Sequence, residues 1–184
     1  AHAGMEPEKG VSAVLAASRA IAALPLGRID RETTSNVGVI RGGLIRNGVP
    51  EETSFLAECR SLNHQKAEKL AMEMYDTIQK EVQKIGASVH IRMENPFKAV
   101  DIPEDSETVI VSKQALKKAG IEARTDYMTG FTDASIYNNK GIEMAVVGIG
   151  ARLEHSPDEH IFIKDMEKAV IMIKEIMSIS AGKS

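Results

Sequence analysis

The sequence has 184 residues, of which 43% are hydrophobic and 27% are charged, which is typical of a soluble globular protein of one or two domains. The net charge of −3 and the lack of a basic stripe argue against nucleic acid as the main partner. No apolar run approaches the roughly 18 residues of a membrane span, and no secretory signal is recognisable. The one cysteine, Cys59, excludes an intrachain disulfide and favours a reducing, cytoplasmic location.

The first predicted element is a helix over residues 7–24. Pro7 suits the first helical position and Pro25 stops the helix. Its apolar stripe comprises Val11, Val14, Leu15, Ser18, Ile21 and Ala22. Residues 1–4 are expected to be the end of a preceding strand. Because the chain starts without an initiator methionine, we expect it to be an interior part of a longer protein.

Two strands, a long helix and a further strand are predicted next. Residues 35–41 and 53–60 have strand patterns and are joined by a connection rich in glycine and proline. Residues 64–85 show strong helical periodicity, whereas residues 88–94 alternate apolar and polar side chains as a half-exposed strand does. With one strand added in front, the order becomes β-α-β-β-α-β, the ferredoxin-like arrangement.

The second half of the chain, after a predicted domain boundary at Asn95-Pro96, has a different order of elements. We predict helices over 105–119, 133–140 and 163–179, and strands over 121–126 and 143–149. The predicted cap of the middle helix is Asp133. The last helix is predicted to bury Met166, Ala169, Val170, Ile173, Ile176 and Met177. The continuous apolar run over 143–149 is typical of a strand buried on both faces, so this half is predicted to belong to a parallel α/β sheet.

Few side chains form a catalytic pattern by spacing alone. His155 and His160 are five residues apart in a loop, which is not the geometry of a helical zinc pair, so His155 is open as a metal ligand or an ordinary loop residue. Arg60 ends a strand, where it is either a surface residue or a bidentate partner for a carboxylate. No nucleophile elbow or phosphate loop is present, and Cys59 fits a buried structural thiol.

Four motifs, in order along the chain, resemble the M20 family of metallopeptidases, and within it the peptidase T-like aminopeptidases. They are AHAGMEPEKGVSAV from residue 1, VIRGGLIRNGVPEETSFLAECR from residue 39, TGFTDASIYNNKGI from residue 129 and GIGARLEHSPDEHIFIKDMEKA from residue 148. The resemblance implies a ferredoxin-like lid and dimerisation domain in residues 1–95, without its first strand. Residues 96–184 would then be the C-terminal portion of an α/β zinc-peptidase catalytic domain.

The resemblance also implies roles in catalysis. His155 matches the metal ligand near the family's C-terminus, and Glu159 matches an acid that recurs after that ligand. His2 matches a lid histidine that reaches the active site of the partner subunit and polarises the scissile carbonyl group.

Further positions match the family's substrate site. Asn47 and Arg60 match lid residues that hold the carboxylate of the substrate. Gly130 and Thr132 match a glycine turn that lines the substrate site, and Phe131 departs from the second glycine usual in that turn.

The function implied by the resemblance is that of a zinc-dependent exopeptidase, which hydrolyses di- and tripeptides with a metal-activated water and forms a homodimer through its lid. Two zinc ions are expected in the intact enzyme. Four of the five usual ligand positions and the general-base glutamate are not found in this chain, so it is expected to hold at most a partial metal site and to be inactive alone. The alternatives are an M20 deacylase or amidohydrolase, and a non-catalytic dimerisation or binding module.

Overall fold

The computed structural model describes residues 1–182, and the chain separates into two compact units. The first unit is Ala1–Asn95, and the second begins at Pro96. The chain combines helices with one small sheet, which confirms the predicted α/β class. Among the described residues, no helix has the length and apolar character that a bilayer crossing requires.

The first unit contains a three-stranded antiparallel sheet whose neighbouring strands follow one another in the chain. β1 is Gly27–Arg28, β2 is Thr33–Gly42 and β3 is Thr53–Ser61. The strands predicted over 35–41 and 53–60 are therefore confirmed, whereas β1 has too few residues for a periodic pattern and was not predicted. A bulge between Val37 and Val39 shifts the register of β2 against β3.

Two helices cover this sheet. α1 is Ala13–Ala23 and α2 is His64–Gln83. The helix predicted over 64–85 is confirmed, and its apolar side chains Leu70, Met74, Ile78 and Val82 are buried in the core. The core of the first unit comprises Ala16, Ala20, Leu24, Leu70, Met74, Ile78 and Val82. Gly86, with a positive φ of 74°, lies just beyond the end of α2.

The prediction of one helix over residues 7–24 is wrong in its first part. Residues Pro7–Lys9 form a 3-10 turn, Gly10 is extended, and α1 begins after Ser12, whose Oγ accepts a hydrogen bond from the Leu15 amide at 3.2 Å. The predicted stripe is also wrong, since Leu15 is 50% exposed. The buried face is instead made of Ala16, Ala17 and Ala20, whose small side chains let α1 approach its neighbours closely.

Residues 88–94 do not form the predicted strand within the described chain. They have no ladder partner, and Val89 and Met93 are exposed. Ile91 packs against the core of the first unit. A strand is defined by its hydrogen-bonded neighbour, and alternation in the sequence does not supply one.

The second unit is helical where it is regular. α3 is Glu107–Lys118, α4 is Asp133–Asn139 and α5 is Ile163–Ser180, which confirms the three predicted helices. The N-cap of α4 is Thr132 and not Asp133, which is the first helical residue. α3 packs on α5 around a small core of Ala115, Ala119 and Met172.

The strands predicted over 121–126 and 143–149 are wrong for the residues that the structure describes. Neither run is paired with another strand, and Val146 and Ile149 are about half exposed. The predicted stripe of α5 is wrong as well, since Val170, Ile173 and Met177 are exposed and the buried side chain is Met172. An apolar run is buried on both faces only where strands flank it, and residues 96–182 contain no such strands.

Candidate functional site

The first candidate region lies where the N-terminal segment meets the connection between β2 and β3. The amide of Ala3 donates to the carbonyl of Asn47, and the amide of Val49 donates to that of Ala1, both at 2.9 Å. His2 forms an antiparallel bridge with Gly48 between these two bonds. The structure therefore brings His2 and Asn47 together, although they are 45 positions apart in sequence.

Close packing holds this contact in place. A Cβ added to Gly10 would lie 2.9 Å from a methyl carbon of Val49 and 3.0 Å from the Cβ of Ala1. No side chain larger than hydrogen fits there without moving one of the two segments. The glycine therefore permits the approach that aligns His2 with Asn47.

The imidazole of His2 has a defined hydrogen-bonding direction. The amide N–H of Gly4 donates to Nδ1 of His2 at 3.1 Å, and the ring is exposed. A neutral imidazole that accepts at Nδ1 carries its hydrogen on Nε2. His2 thus presents an Nε2–H donor to the surroundings, which is the hydrogen that an electron-rich carbonyl oxygen requires.

Arg60 lies at the other end of the sheet. It pairs with Thr34, whereas the opposite end of the β2–β3 ladder is the pair Gly42 and Thr53. At about 3.3 Å per residue, the seven steps from Thr53 to Arg60 span about 23 Å. The guanidinium donates to the carboxylate of Glu58 through Nε at 3.1 Å and Nη2 at 2.8 Å.

The course of α1 supports the same separation between Asn47 and Arg60. The amide of Ala13, the first residue of α1, donates to the carbonyl of Pro50 at 2.8 Å, near Asn47. Beyond the other end of α1, Pro25 accepts a hydrogen bond from the hydroxyl of Ser35, next to the partner of Arg60. The 11 residues of α1 span about 16 Å. Asn47 and Arg60 of one copy therefore cannot hold the same carboxylate.

The second candidate region is the turn before α4. Thr132 is the N-cap of α4, but its hydroxyl makes no capping hydrogen bond, and its side chain is half buried. Gly130 is exposed, and its φ lies outside the left-handed region. A Cβ at Gly130 would lie 2.6 Å from the methyl carbon of Met128, so this side chain covers the glycine. Phe131 stacks at an angle on Phe97, with ring centroids 4.8 Å apart.

The third candidate region is the loop of residues 152–160, which carries His155. Arg152 and His160 close the loop with two backbone hydrogen bonds of 3.0 and 3.1 Å. His155 has a φ of 66°, and its amide donates to the carboxylate of Glu159 at 3.0 Å. A left-handed backbone is disfavoured for a residue with a Cβ, and such strain clusters at functional positions. Glu159 therefore holds the backbone of His155 and leaves the exposed imidazole available.

The base of this loop is fixed to α5. Arg152 donates to the carboxylate of Asp165 at 3.2 Å, and its guanidinium lies 5.0 Å from the ring centroid of Phe162. Gly150 has a φ of 91°, and a Cβ there would lie 2.9 Å from the Cβ of Asp165. Both the positive φ and the close contact with Asp165 require glycine. They fix the direction of the loop relative to α5.

A complete metal site is not formed by the part of the chain that the structure describes. Residues 1–182 contain no group of three histidine, cysteine, aspartate or glutamate side chains that could hold a metal ion. A catalytic zinc ion usually has three protein ligands, whereas His155 supplies one. The described residues therefore do not fit a dinuclear centre by themselves.

Several contributors to these regions were not predicted from the sequence. The Gly4 amide, the pairing of residue 3 with Asn47 and the stacking of Phe97 on Phe131 all depend on tertiary contacts.

Cys59 is half buried. Its burial and, to a smaller extent, the charge of Glu58 raise the pKa of its thiol. This agrees with the predicted structural thiol, because a raised pKa disfavours the reactive thiolate.

Comparison with known proteins identifies the family. The M20 peptidase dimerisation domain matches residues 1–85. The uncharacterised protein YqjE of Bacillus subtilis is 33% identical over 98% of this chain and 49% of its own length. Acetylornithine deacetylase of Myxococcus xanthus is 27% identical over 96% of this chain and 49% of its own length. The chain thus spans about half the length of the curated relatives it matches.

Solved structures give the same assignment. A tripeptidase of Staphylococcus aureus superposes with a TM-score of 0.84 at 29% identity, covering 99% of this chain and 48% of the tripeptidase. The aminopeptidase PepT of Bacillus cereus superposes with a TM-score of 0.78 at 31% identity, covering 98% of this chain and 48% of PepT. YxeP of B. subtilis, a dinuclear metal-binding M20 peptidase, shares the fold at 15% identity and a TM-score of 0.60, over 95% of this chain and 48% of YxeP. The first unit thus matches the M20 dimerisation domain, and the chain as a whole is similar to M20 peptidases.

Proposed function

We propose that the whole protein containing this chain is a dimeric, metal-dependent exopeptidase that hydrolyses short peptides in the cytoplasm. The observation that carries this proposal is the likeness of 99% of the chain to a tripeptidase, at a TM-score of 0.84. In this proposal residues 1–95 are the lid and dimerisation domain, and residues 96–184 are the C-terminal portion of the catalytic domain.

His155 is proposed as one ligand of a dinuclear zinc centre. Its closed loop, its left-handed backbone and its exposed ring support this role. The remaining ligands would come from outside the described residues. In such a centre the metal ions supply an activated water and polarise the carbonyl group of the substrate.

His2 is proposed as a donor to the carbonyl oxygen in the active site of the partner subunit. The hydrogen bond from Gly4 to Nδ1 supports this role, because it leaves the Nε2 hydrogen free to point at a developing negative charge. Asn47 is paired with the same segment and would act together with His2 across the dimer.

Arg60 is proposed to bind a carboxylate in one active site of the dimer. Asn47 of the same copy is proposed to serve the other active site. The distance along β3 and α1 supports this division, because the two side chains of one copy are too far apart to share a carboxylate. Gly130 and Thr132 are proposed to line the substrate site, where the uncapped hydroxyl of Thr132 is available to a peptide group.

The test is an assay of the whole natural protein, and of the chain of residues 1–184, with a panel of tripeptides. We expect the whole protein to hydrolyse tripeptides, to lose activity with a chelator and to regain it with zinc. The chain alone should be inactive, because residues 1–182 form no complete metal site. Chelator-sensitive turnover by the chain alone would refute the claim of inactivity.

His155 is tested in the whole protein by His155→Ala, with His160→Ala as the matched control from the same loop. The ring of His160 contacts the carbonyl of Asp158 at 2.7 Å, and the ring of Phe162, so it is engaged within the loop. We expect His155→Ala to lower both the bound zinc and the turnover, by more than the 10- to 100-fold typical of residues that only orient a ligand. Unchanged zinc content would remove His155 from the metal site.

A deacylase is the second candidate, because acetylornithine deacetylase is 27% identical over most of the chain. N-acetyl amino acids, assayed beside tripeptides, separate the two reactions. Turnover of acetyl amino acids alone would replace the peptidase proposal. Zinc-loaded whole protein that hydrolyses neither class but still dimerises would favour a non-catalytic binding module.

A further inference from the structure

We propose that Phe131 and Phe97 form an apolar wall beside Gly130 that selects peptides with an apolar side chain. This inference rests on the proposed peptidase function and on the placement of Gly130 in the substrate site. It concerns a position at which this chain carries phenylalanine in place of the glycine usual in that turn.

The two rings form a pair that is only partly covered. Their centroids are 4.8 Å apart with an interplanar angle of 33°, and Phe131 is 45% exposed. Phe97 is half buried behind it. One face of Phe131 is therefore supported by another ring, while nearly half of the side chain remains accessible to a ligand.

The partner ring is held on α4, so the pair has a fixed position. The amide of Lys98 donates to the side-chain oxygen of Asn139, and the side-chain nitrogen of Asn139 donates to the carbonyl of Lys98, both at 2.9 Å. The same nitrogen donates to the carbonyl of Ser135 at 2.8 Å, within α4. Because α4 begins directly after Thr132, one helix fixes both Phe97 and the turn that carries Phe131.

A third apolar side chain extends the wall across the glycine. The methyl group of Met128 lies over Gly130, and the side chain is 56% exposed. Gly130 thus has the Met128 methyl group over it and Phe131 next to it in the chain. A few polar groups within an apolar lining are typical of ligand sites. The hydroxyl of Thr132, which makes no capping hydrogen bond, is such a group here.

The expected consequence is a preference between substrates. A glycine at position 131 would leave the turn open, whereas the phenylalanine offers a surface on which an apolar side chain can pack. Differences of this kind are worth about 10- to 200-fold in kcat/KM. The preference should depend on the ring of Phe131 and not on the backbone of the turn.

The experiment measures kcat/KM of the whole, metal-loaded protein for triglycine and for the three tripeptides with one leucine and two glycines. Wild-type protein should prefer at least one leucine peptide over triglycine by about 10-fold or more. Phe131→Gly should remove this preference, because kcat/KM for the leucine peptides should fall by about 10-fold more than kcat/KM for triglycine, while Phe131→Leu should retain part of it. Phe97→Ala should weaken the preference by removing the supporting ring.

Tyr137→Ala is the matched control, with Phe131→Ala as its counterpart. Tyr137 is an aromatic residue of α4 that is also 45% exposed, but it makes no ring contact within the described residues. The control should keep the preference for leucine, which Phe131→Ala should lose.

Two results would overturn the inference: a leucine preference that survives Phe131→Gly, or an equal loss for triglycine and leucine peptides in that variant. Both leave the peptidase proposal intact, because the wild-type protein still hydrolyses triglycine. Failure of the wild-type protein to hydrolyse any of the four peptides would instead refute the peptidase proposal, and this inference with it.

Discussion

The two units of the chain differ in how much of its apolar surface each one buries. In the first unit, two helices cover an antiparallel sheet, and seven buried side chains form one core. In the second unit, α3 and α5 pack around a core of three buried side chains, and the apolar run over residues 143–149 has no strand partner among the described residues. The units also carry different candidate groups, His2 in the first and His155 in the second.

This difference indicates what each unit requires. The first unit has the packed layers of an independent domain. The second resembles the helical layer of an α/β sheet, because the exposed side chains of Met166, Val170 and Ile173 follow helical spacing on α5. Large exposed apolar surfaces mark places where further protein packs. We therefore expect the second unit to depend on the rest of the whole protein more than the first does.

Hydrogen exchange of the chain of residues 1–184 should give the largest contrast. The amides of residues 145–149 have no hydrogen-bond acceptor among residues 1–182, whereas those of residues 70–82 lie inside α2 over the core. The free energy of local opening ranges from about zero to the global free energy of unfolding. The exchange rates of the two segments should therefore differ by about 1,000-fold or more. Deuterium uptake followed by mass spectrometry measures this. Slow exchange at 145–149 would show that this run finds a partner without the rest of the protein.

His2→Ala in the whole protein should give the next largest effect. Removing one donor to a developing oxyanion costs about 100- to 1,000-fold in kcat. Zinc content should not change, since His2 is proposed as a donor and not a ligand. His90→Ala is the matched control, because His90 is an exposed histidine of the same unit without a proposed role. Loss of zinc in His2→Ala would show that His2 is a metal ligand instead.

Met172→Ala tests the small core of the second unit. Met172 is fully buried between α3 and α5, and its truncation should lower the free energy of unfolding by about 2 kcal/mol. Met177→Ala, on the same helix, removes the same atoms from a side chain that is 67% exposed and should have little effect in the chain of residues 1–184. Urea unfolding of both variants provides the comparison. Equal losses would mean that the exposed face of α5 is already covered in solution.

The smallest effect is expected at an ion-pair cluster of the first unit. Asp30 accepts hydrogen bonds from the Glu32 amide and the Lys66 ammonium, and these lower its pKa from 3.8 to about 2. A depressed carboxyl pKa stabilises the fold above pH 3.8, and this contribution is lost as the pH falls through about 2. Asp30→Asn should therefore lower the urea midpoint slightly at pH 5 but not near pH 2. Salt should weaken the effect, because the pair is exposed. A difference that persists unchanged at pH 2 would contradict this explanation.

The sequence predicts those elements whose signals are local. The periodicity of α2 identifies its buried face, and the positions of β2 and β3 follow from their strand patterns and turn residues, although β2 extends beyond the predicted 35–41 at both ends. The prediction fails where burial depends on a neighbour. The run over 143–149 has the composition of a buried strand, but no strand pairs with it within the described residues. On α5 both sides are apolar, so periodicity cannot identify Met172 as the buried one.

The candidate site was predictable only as a set of motifs. The motifs around His2, Asn47 and His155 were recognisable from the chain, but their geometry was not. The contact of His2 with the Asn47 segment and its separation from Arg60 require the fold of the whole first unit. The orientation of the His2 ring depends on the Gly4 amide, and the backbone of His155 depends on Glu159. The spacing of residues in the sequence does not determine these contacts and orientations.

The central claim is that His2 and His155 of one copy serve different active sites of a dimer. Mixing His2→Ala and His155→Ala whole proteins, after dissociation and reassociation, tests it most directly. If His2 acts across the dimer, each mixed dimer has one complete site, and turnover should recover to about a quarter of the wild-type value. Mixed dimers that form but remain as inactive as either variant alone would show that His2 and His155 serve the same copy, and would contradict the account.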